Sequence, residues 1–447
     1  MKTMLPKLPD HASKRIIPGA SSVVVGAGAS GMAAAELLDF LGAGVRIVDS
    51  GRLSDSVREM ATRRGWETRE GGHGPEQFAD AELVVLSPGV NRRKLSPWLE
   101  QLGPDQVISE LELALGFVDE PIIAVTGTSG KTTTTTLIGA FLEAMGRKVF
   151  VGGNIGTPLC RYALDRRTNN REKADILVLE VSSFQLLNTT SLHPKVAVLL
   201  NISPNHLDYH QDMDEYVQAK LSLFAGQEPQ DTAIISGELR ELVESHLKIR
   251  SRKVFVEPVS RLTCPALPGR HNQGNIESAF QACKAFGLDE AAAQKALDGF
   301  EALPHRLQGF AEYHGVLFVD DSKGTTVQSL RAALEAFDRP LLLLAGGVFK
   351  GGDLAGLKPL LTQKVRHVGL FGASREIFEQ AWTEANVPLS WEPTLEAAMD
   401  RLWATAKEKD VMLLSPATAS FDLFANYKER GMAFQRHAKV LAERDHG

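Results

Sequence analysis

"IIAVTGTSGKTTTTTLIGAFLEAMG", residues 122–146, decides the class of fold. A short apolar run rich in β-branched residues leads into a glycine-rich turn, and a longer segment with helical character follows. Buried parallel strands have the composition of the first part, and a strand that turns tightly into a helix is the repeating unit of α/β proteins. The stretch therefore predicts an α/β fold built on parallel sheet.

The turn in this stretch has the parts of a phosphate-binding loop. Its small residues let backbone N–H groups approach an anion at the N-terminus of the following helix. The lysine can reach β- and γ-phosphates, and the next hydroxyl can bind Mg²⁺. The motif is incomplete, because Val125 stands where the first glycine of a full P-loop would be, so a plain glycine-rich turn with a surface lysine is the alternative. The predicted ATP contacts here are Gly127, Thr128, Ser129, Gly130, Lys131, Thr132 and Thr133.

A second glycine-rich turn lies near the start of the chain. "VVVGAGASGMA", residues 23–33, places Gly26, Gly28 and Gly31 at the spacing of the dinucleotide-binding fingerprint, and Asp49 ends the next apolar run. An oxidoreductase that binds NAD is therefore one alternative. That alternative gives no role to Lys131, and a diphosphate other than NAD fits the same turn.

Strand-like runs followed by loops and helices recur in three series along the chain. The second series opens at "PIIAVTG" and the third at "GVLFVDDSKG". A length of 447 residues also fits about three domains. We therefore expect three α/β units over residues 1–117, 118–303 and 304–447.

Composition limits the class of protein. The net charge of −6 gives no sign of a nucleic-acid partner, and a hydrophobic content of 43% is enough for a buried core. No apolar run is long enough for a membrane span, and the first residues lack the apolar region of a signal peptide. The three cysteines are widely spaced and predict neither a disulfide nor a metal site. We expect a soluble, cytoplasmic protein.

Polar side chains follow two further apolar runs. Glu180 ends "ILVLE", and an acid there is either paired with a basic group or a metal ligand; in a protein that binds ATP the ligand is favoured. His206, in "NISPNHLDYH", follows the next run. Because the carboxyl ends of parallel strands form the active crevice, both are candidate site residues.

Lys220 occupies an unexpected position on a predicted helix. Val217, Leu221 and Phe224 form an apolar stripe, and Lys220 lies on the same face. Such a lysine usually extends its ammonium group to solvent. The other possibility is a functional lysine that faces the crevice.

Eight motifs in order connect the chain to a known family. They are "GTSGKTT", "GGNIGTP", "LEVSSFQL", "NHLDYH", "GRHNQGN", "LPHR", "DDSKGTT" and "LLSPATASFD". Together with the first glycine-rich turn, they make the whole chain resemble the Mur ligases. The resemblance implies a Rossmann-like N-terminal domain, a central P-loop-type ATPase domain and a Rossmann-like C-terminal domain.

The resemblance also implies a reaction and its partners. ATP would activate the carboxylate of UDP-N-acetylmuramoyl-L-alanine (UDP-MurNAc-L-Ala) as an acyl phosphate, which the amine of D-glutamate would attack. Glutamate is implied because "DDSKGTT" resembles the third-domain motif of the family member that adds D-glutamate rather than the signature of the member that adds diaminopimelate or lysine. A monomer that uses two Mg²⁺ ions is expected. A folylpolyglutamate-type ligase, another Mur ligase and a non-catalytic nucleotide-binding module are the alternatives.

Site residues carried over from the family fall into three groups. Lys131, Glu180, His206 and Lys220 are implied to be catalytic, with Thr132, Glu180, His206 and a carbamylated Lys220 as metal ligands. Further nucleotide contacts are Asn272, Asn275, Arg306 and Asp321. The UDP-substrate contacts are Ala29, Ser30, Ser87, Pro88, Gly89, Asn154, Ser182 and Gln185, and the amino-acid contacts are Lys323, Thr325, Lys350, Ser420, Phe421 and Tyr427.

Overall fold

The computed structural model describes residues 19–206, 209–301 and 303–443. Over these ranges the backbone forms three sheets whose strands alternate with helices, and the neighbouring strands are parallel except for one edge pair. The expectation of an α/β fold with mainly parallel sheets is therefore confirmed.

The first sheet has five strands in the order β3-β2-β1-β4-β5. Its central strands β1 and β4 consist mainly of valine and leucine residues that are buried on both faces, as in sheets covered by helices on two sides. The strands are β1 (Ser21–Val25), β2 (Gly44–Asp49), β3 (Glu67–Glu70), β4 (Leu83–Leu86) and β5 (Val107–Ser109). The helices are α1 (Ala29–Phe40), α2 (Asp55–Arg64), α3 (Arg92–Leu99) and α4 (Glu110–Leu115).

The second sheet has six strands in the order β11-β10-β9-β6-β8-β7. The stretch at 122–146 forms its central strand, the turn and the helix α5, as its composition predicts. The strands are β6 (Ile122–Thr126), β7 (Val149–Gly153), β8 (Ile176–Glu180), β9 (Val196–Leu199), β10 (Thr232–Ser236) and β11 (Arg252–Val256). The helices are α5 (Lys131–Ala144), α6 (Leu159–Arg167), α7 (Ser183–Leu186), α8 (Met213–Leu221), α9 (Arg240–His246), α10 (Arg270–Lys284) and α11 (Glu290–Asp298).

The third sheet has six strands in the order β12-β13-β17-β14-β15-β16, and β12 is antiparallel to β13. The strands are β12 (Gln308–Tyr313), β13 (Val316–Asp320), β14 (Leu341–Gly346), β15 (Val365–Phe371), β16 (Leu389–Glu392) and β17 (Val411–Leu414). The helices are α12 (Val327–Glu335), α13 (Lys358–Lys364), α14 (Arg375–Trp382), α15 (Leu395–Trp403) and α16 (Tyr427–Ala442). Short 3₁₀ turns occur at Pro75–Gln77, Pro104–Gln106, Ser222–Phe224, Gly237–Leu239, Ala355–Leu357 and Thr383–Ala385.

The chain divides into two compact units. Unit 1 comprises Met1–Glu257 with Ser278–Ala293, and unit 2 comprises Pro258–Glu277 with Gln294–Gly447. Unit 1 contains the first and second sheets, which polar contacts join. Arg161 of α6 forms an ion pair with Glu36 of α1, and the carboxylate of Glu112 in α4 accepts hydrogen bonds from the backbone N–H groups of Thr190 and Ser191.

All three cysteines are buried free thiols. Cys160 and Cys283 are fully buried, and Cys264 is 5% exposed. Burial raises the pKa of each thiol above its ordinary value. Within the described ranges, every helix is too short or too polar to cross a membrane.

Candidate active site

The glycine-rich turn after β6 is held open by its neighbours. Gly127 and Gly130 have φ angles of +157° and +79°, which residues with a β-carbon rarely adopt. The amide of Ser129 donates to Asn201 Oδ1 at 2.8 Å, and the hydroxyl of Thr128 lies 2.9 Å from that of Tyr216 in α8. The turn therefore leads into the N-terminus of α5 in a fixed shape suited to an anion.

Lys131 curls back over this turn. Its Nζ donates to the carbonyl oxygens of Gly127 and Thr128, at 2.9 and 3.0 Å. A cation in that place lies over the loop whose amides favour phosphate, which is the arrangement that phosphate-binding loops use.

Glu180 ends β8 as a buried carboxylate, 3% exposed. Its two oxygens accept hydrogen bonds from the Thr132 hydroxyl at 2.7 Å and from Asn154 Nδ2 at 2.9 Å. Both partners are neutral, and the described residues provide no ion pair for Glu180. Since a buried carboxylate without a cation is costly, and since hydroxyl and carboxylate oxygens are the ligands that Mg²⁺ prefers, these side chains fit a magnesium ion.

Lys220 is buried and does not extend to solvent. The side chain is 2% exposed, and its Nζ donates to the Gly127 carbonyl at 2.8 Å and lies 4.6 Å from the centre of the Tyr216 ring. Burial, and then the charge of Lys131, hold the pKa of Lys220 well below its ordinary value. The structure thus brings Lys131, Thr132, Glu180 and Lys220 to the carboxyl edge of one sheet.

The remaining candidates beside this edge occupy turns. His206 follows β9 with a φ of +58°, and its ring meets the edge of the Phe184 ring at 4.7 Å between centres. The two residues after it lie outside the described ranges. Ser182 caps α7, and its hydroxyl donates to Gln185 Oε1 at 2.9 Å.

In the first sheet, the predicted substrate residues surround the fingerprint turn. Ala29 and Ser30 begin α1, and Ser87, with Pro88 and Gly89, follows β4. The Ser87 hydroxyl donates to the carbonyl of Gly26 at 2.9 Å. Asp49 accepts hydrogen bonds from the amides of Ala27 and Gly51, at 2.8 and 2.9 Å. Its carboxylate therefore fixes the shape of the turn.

In unit 2, the predicted nucleotide residues are largely buried. Asn275 Nδ2 donates to Asn272 Oδ1 at 3.0 Å within α10. Asp321 accepts from the Ser415 hydroxyl at 2.8 Å, and burial raises its pKa to about 7 while the charge of Arg306 opposes that rise.

The predicted amino-acid contacts lie after three neighbouring parallel strands of unit 2. Lys323 and Thr325 follow β13, Lys350 follows β14, and Ser420 and Phe421 follow β17, which pairs with both. Lys323 Nζ lies 5.3 Å from the ring centre of Tyr427, the first residue of α16, and Lys350 Nζ lies 5.5 Å from that of Phe421. The three loops therefore meet at one edge of the sheet and carry two cations and several hydroxyl groups.

The sequence analysis missed three polar residues, two beside the phosphate loop of unit 1 and one beside the loops of unit 2. Asn201 and Tyr216 hold the phosphate loop, and nothing in their local pattern indicates this. Arg430 is fully buried beside the loops after β13 and β17. The sequence pattern could have indicated Arg430. It lies on the buried stripe of α16 with Phe434 and Ala438, just as Lys220 lies on an apolar stripe of α8.

Comparisons with known proteins agree along the whole chain. Residues 20–101 match the family model of the Mur ligase MurD-like N-terminal domain, residues 125–260 the Mur ligase middle domain, and residues 305–418 the Mur ligase glutamate ligase domain. The chain is 51% identical to the UDP-N-acetylmuramoylalanine--D-glutamate ligase of Oleidesulfovibrio alaskensis, with 100% of both chains covered. It is 40% identical to the protein of that name from Desulfosudis oleivorans, covering 95% of this chain and 97% of the relative.

Solved structures share the fold at low sequence identity. The UDP-N-acetylmuramate-alanine ligase MurC of Thermotoga maritima superposes with a TM-score of 0.58 at 18% identity, covering 94% of this chain and 99% of its own. MurF ligase of the same organism, in complex with ADP, superposes with a TM-score of 0.58 at 17% identity, covering 90% of this chain and 94% of its own. With domain models matched in order and half of all residues shared with full-length relatives, the chain belongs to the Mur ligase family.

Proposed function

We propose that this protein joins D-glutamate to UDP-MurNAc-L-Ala in peptidoglycan precursor synthesis, with ATP as the source of energy. The observation that carries the proposal is the group at the edge of the second sheet, where Lys131 lies over the phosphate loop and Thr132 bonds to the buried Glu180. The names of full-length relatives at about half identity support the choice of substrates.

The reaction proceeds in two steps. An oxygen of the substrate carboxylate attacks the γ-phosphorus of ATP, the bond to the β-phosphate oxygen breaks, and ADP leaves. The amine of D-glutamate then attacks the carbonyl carbon of the acyl phosphate, loses a proton, and inorganic phosphate leaves. Activation is needed because hydroxide is too poor a leaving group for an amine to displace.

Each group of residues has a defined task in this reaction. Lys131 and the amides of residues 127–130 neutralise and orient the phosphates, so that two anionic reactants can approach. The fingerprint turn at 26–31 holds the diphosphate of the UDP-substrate, together with the turn at 87–89. In unit 2, Asn272, Asn275, Arg306 and Asp321 contact the nucleotide. Lys323, Thr325, Lys350, Ser420, Phe421 and Tyr427 receive the amino acid.

Two magnesium ions complete the proposal. Thr132 and Glu180 would hold the first, and Glu180, His206 and a carbamylated Lys220 would hold the second. Bound magnesium neutralises charge on the transferring phosphoryl group. The burial of Lys220 favours its neutral amine, which attacks CO₂ to form an N–C bond and releases one proton, leaving a carbamate anion in place of a cation.

A phosphate-release assay tests the reaction. Purified protein with ATP, Mg²⁺ and UDP-MurNAc-L-Ala should release phosphate only after D-glutamate is added, and Lys131→Ala should abolish the release. The assignment is rejected if phosphate release requires L-glutamate or another amino acid instead. It is also rejected if no phosphate is released under any of these conditions.

Acetate tests the carbamate. Lys220→Ala should be inactive and should regain part of its activity when acetate is added, because a small carboxylate replaces the missing carbamate. Lys131→Ala is the matched control, and acetate should not restore it. If acetate leaves Lys220→Ala inactive, the carbamate is rejected while the ligase reaction stands.

A further inference from the structure

Arg430 lies in the first turn of α16 with its side chain fully buried. Nε donates to the Ser322 hydroxyl at 3.0 Å, and Nη2 donates to the carbonyl oxygens of Ser322 and Thr418 at 2.8 and 3.1 Å. Ser322 belongs to the loop after β13, and Thr418 to the loop after β17. One guanidinium therefore ties two of the three loops that carry the amino-acid contacts.

The same guanidinium lies against the third loop. A β-carbon built on Gly347, directly after β14, would lie 3.2 Å from Arg430 Nη1 and only 2.3 Å from the carbonyl of Ala419. Gly347 has a φ of +127°, and the next residue, Val348, exchanges two backbone hydrogen bonds with Ala419. The loop that bears Lys350 thus packs directly on the loop that Arg430 holds.

The guanidinium remains charged in this position. Burial lowers the pKa of Arg430 to about 10, while the carboxylates of Asp422, Asp320 and Asp321 oppose the decrease. Nη1 is also buried and has no hydrogen-bond partner among the described residues. Burying a cation with an unused donor costs free energy. Lysine does not offer the same contacts, because it lacks the planar fork of donors of a guanidinium.

We propose that Arg430 is a positioning residue for the amino-acid substrate, because its forked donors tie the loops after β13 and β17 together and the loop after β14 packs on the latter. The proposal rests on the proposed function, since it assumes that these loops receive glutamate. Loss of the fork should therefore weaken the binding of glutamate far more than that of the UDP-substrate, whose proposed contacts lie in unit 1. ATP binding should also change little, because the Ser415 hydroxyl and the Leu307 amide hold the carboxylate of Asp321 independently of Arg430.

The test compares Arg430→Ala and Arg430→Lys with the wild type. Both variants should raise the KM for D-glutamate by about tenfold or more, with the other two KM values changed by less than about threefold. Lysine should not restore binding, because its single nitrogen cannot replace both Nε, which donates to the Ser322 hydroxyl, and Nη2, which donates to the carbonyl oxygens of Ser322 and Thr418. Guanidinium chloride at millimolar concentration should partly restore Arg430→Ala, whereas sodium chloride should not.

Arg339 provides a matched control in the same sheet. Its guanidinium donates to the carbonyl oxygens of Lys409, Gly315 and Asp410, next to the opposite ends of β13 and β17. Arg339→Ala should lower thermal stability without a selective change in the KM for glutamate.

Each outcome decides the proposal. It is overturned if the three KM values rise together, if Arg430→Lys binds glutamate normally, or if Arg339→Ala gives the same selective change. If Arg430→Ala does not fold, Arg430→Lys decides in its place. For that variant, both the KM for D-glutamate and the rise in the melting temperature of unit 2 on addition of D-glutamate are compared with the wild type. A wild-type protein that does not use D-glutamate rejects the proposed function itself.

Discussion

Two basic side chains, Lys220 and Arg430, are buried at the edges of the sheets. Each lies on the buried face of a helix, and each donates to carbonyl oxygens at the carboxyl edge of a sheet. The two positions require different chemistry of the side chain. An amine can lose its proton and be modified, whereas a guanidinium keeps its charge and offers several donors in one plane.

Glu180 carries the only negative charge in its immediate hydrogen-bonded group, which also contains Thr132 and Asn154. Glu180→Gln keeps the shape of the side chain but removes the charge that fits a magnesium ion. Phosphate release should fall by about 100-fold or more, while the melting temperature is unchanged or rises, because a buried unpaired charge is gone.

Glu120→Gln is the matched control for Glu180→Gln. Glu120 is equally buried but accepts from the Tyr162 hydroxyl and pairs with Arg166, ahead of β6. The control should lose stability and keep its activity. Equal activity in the two variants would remove Glu180 from the proposed metal site.

Glu110 predicts a pH-dependent stability. It is fully buried, one oxygen accepts from the amide of Cys160 at 2.7 Å, and burial raises its pKa from 4.5 to about 7. Because the folded-state pKa is the higher one, the stability it contributes is full below pH 4.5 and is lost as the pH rises through 7. Glu110→Gln avoids this loss, so its advantage over the wild type should grow by about 2 kcal/mol between pH 5.5 and pH 8.

Denaturant unfolding at the two pH values measures this difference. Glu172→Gln is the control, because Lys148 lowers the pKa of that exposed carboxylate, so the variant should gain nothing at the higher pH. A constant difference between Glu110→Gln and the wild type would contradict the prediction.

At the scale of elements, the strand–turn–helix unit explains where each site residue lies. In the turn after β1, Gly31 lies so close to Gly26 that there is no room for a side chain. A β-carbon on Gly31 would lie 1.8 Å from the carbonyl oxygen of Gly26. Gly31→Ala should therefore destabilise unit 1 by about 3 kcal/mol or more. Denaturant unfolding measures the loss.

Gly28 gives the contrasting variant in the same turn. Its φ is −74° and a β-carbon there meets no atom within 4 Å, so Gly28→Ala should fold normally. The added methyl group would stand at the helix N-terminus where the diphosphate is proposed to bind, and the KM for the UDP-substrate should rise several-fold. An unchanged KM with intact stability would remove the diphosphate from this turn.

Sequence patterns predicted the buried central strands but not every edge strand. β1, β6, β8 and β14 are apolar runs bounded by turns, and their composition identifies them. β3 reads ETRE and β12 reads QGFAEY, and neither has the pattern of a buried strand, because an edge strand is partly exposed and pairs on one side only. The antiparallel pairing of β12 with β13 is a tertiary contact that no local pattern encodes.

The same limit applies to the candidate site. Lys131 and Glu180 were predictable because polar residues that follow parallel strands line the crevice, whereas the loops after β13, β14 and β17 were indicated by the resemblance to the Mur ligases. Asn201 and Tyr216 contact the phosphate loop from a distance in sequence of more than 70 residues, and only the folded chain reveals them. Asp49 fits the fingerprint in sequence, yet its hydrogen bonds serve the turn itself.

At the scale of the whole molecule, the relevant features are the net charge and the segments that connect the proposed domains. The net charge is −6 although every proposed substrate is an anion. Substrate recognition therefore depends on local cations, such as Lys131 at the phosphate loop and Lys323 with Lys350, rather than on the overall field.

The proposed domain boundaries near residues 117 and 303 should differ in their sensitivity to proteolysis. Glu301 is exposed, whereas Glu120 is buried and follows Phe117, whose carbonyl accepts a hydrogen bond from Arg167. A glutamate-specific protease should cut after Glu301 in the folded protein and should not cut after Glu120 until unit 1 unfolds. Mass spectrometry of the fragments measures this, and early cleavage after Glu120 would contradict it.

The burial of Cys160, Cys264 and Cys283 makes the native chain unreactive towards thiol reagents while it is folded. A cysteine placed at an exposed position such as Val259 would then be the single labelled site, with no need to remove the native ones. A fluorophore or spin label attached there, paired with a second one in unit 1, makes motion between parts of the working enzyme directly observable during turnover.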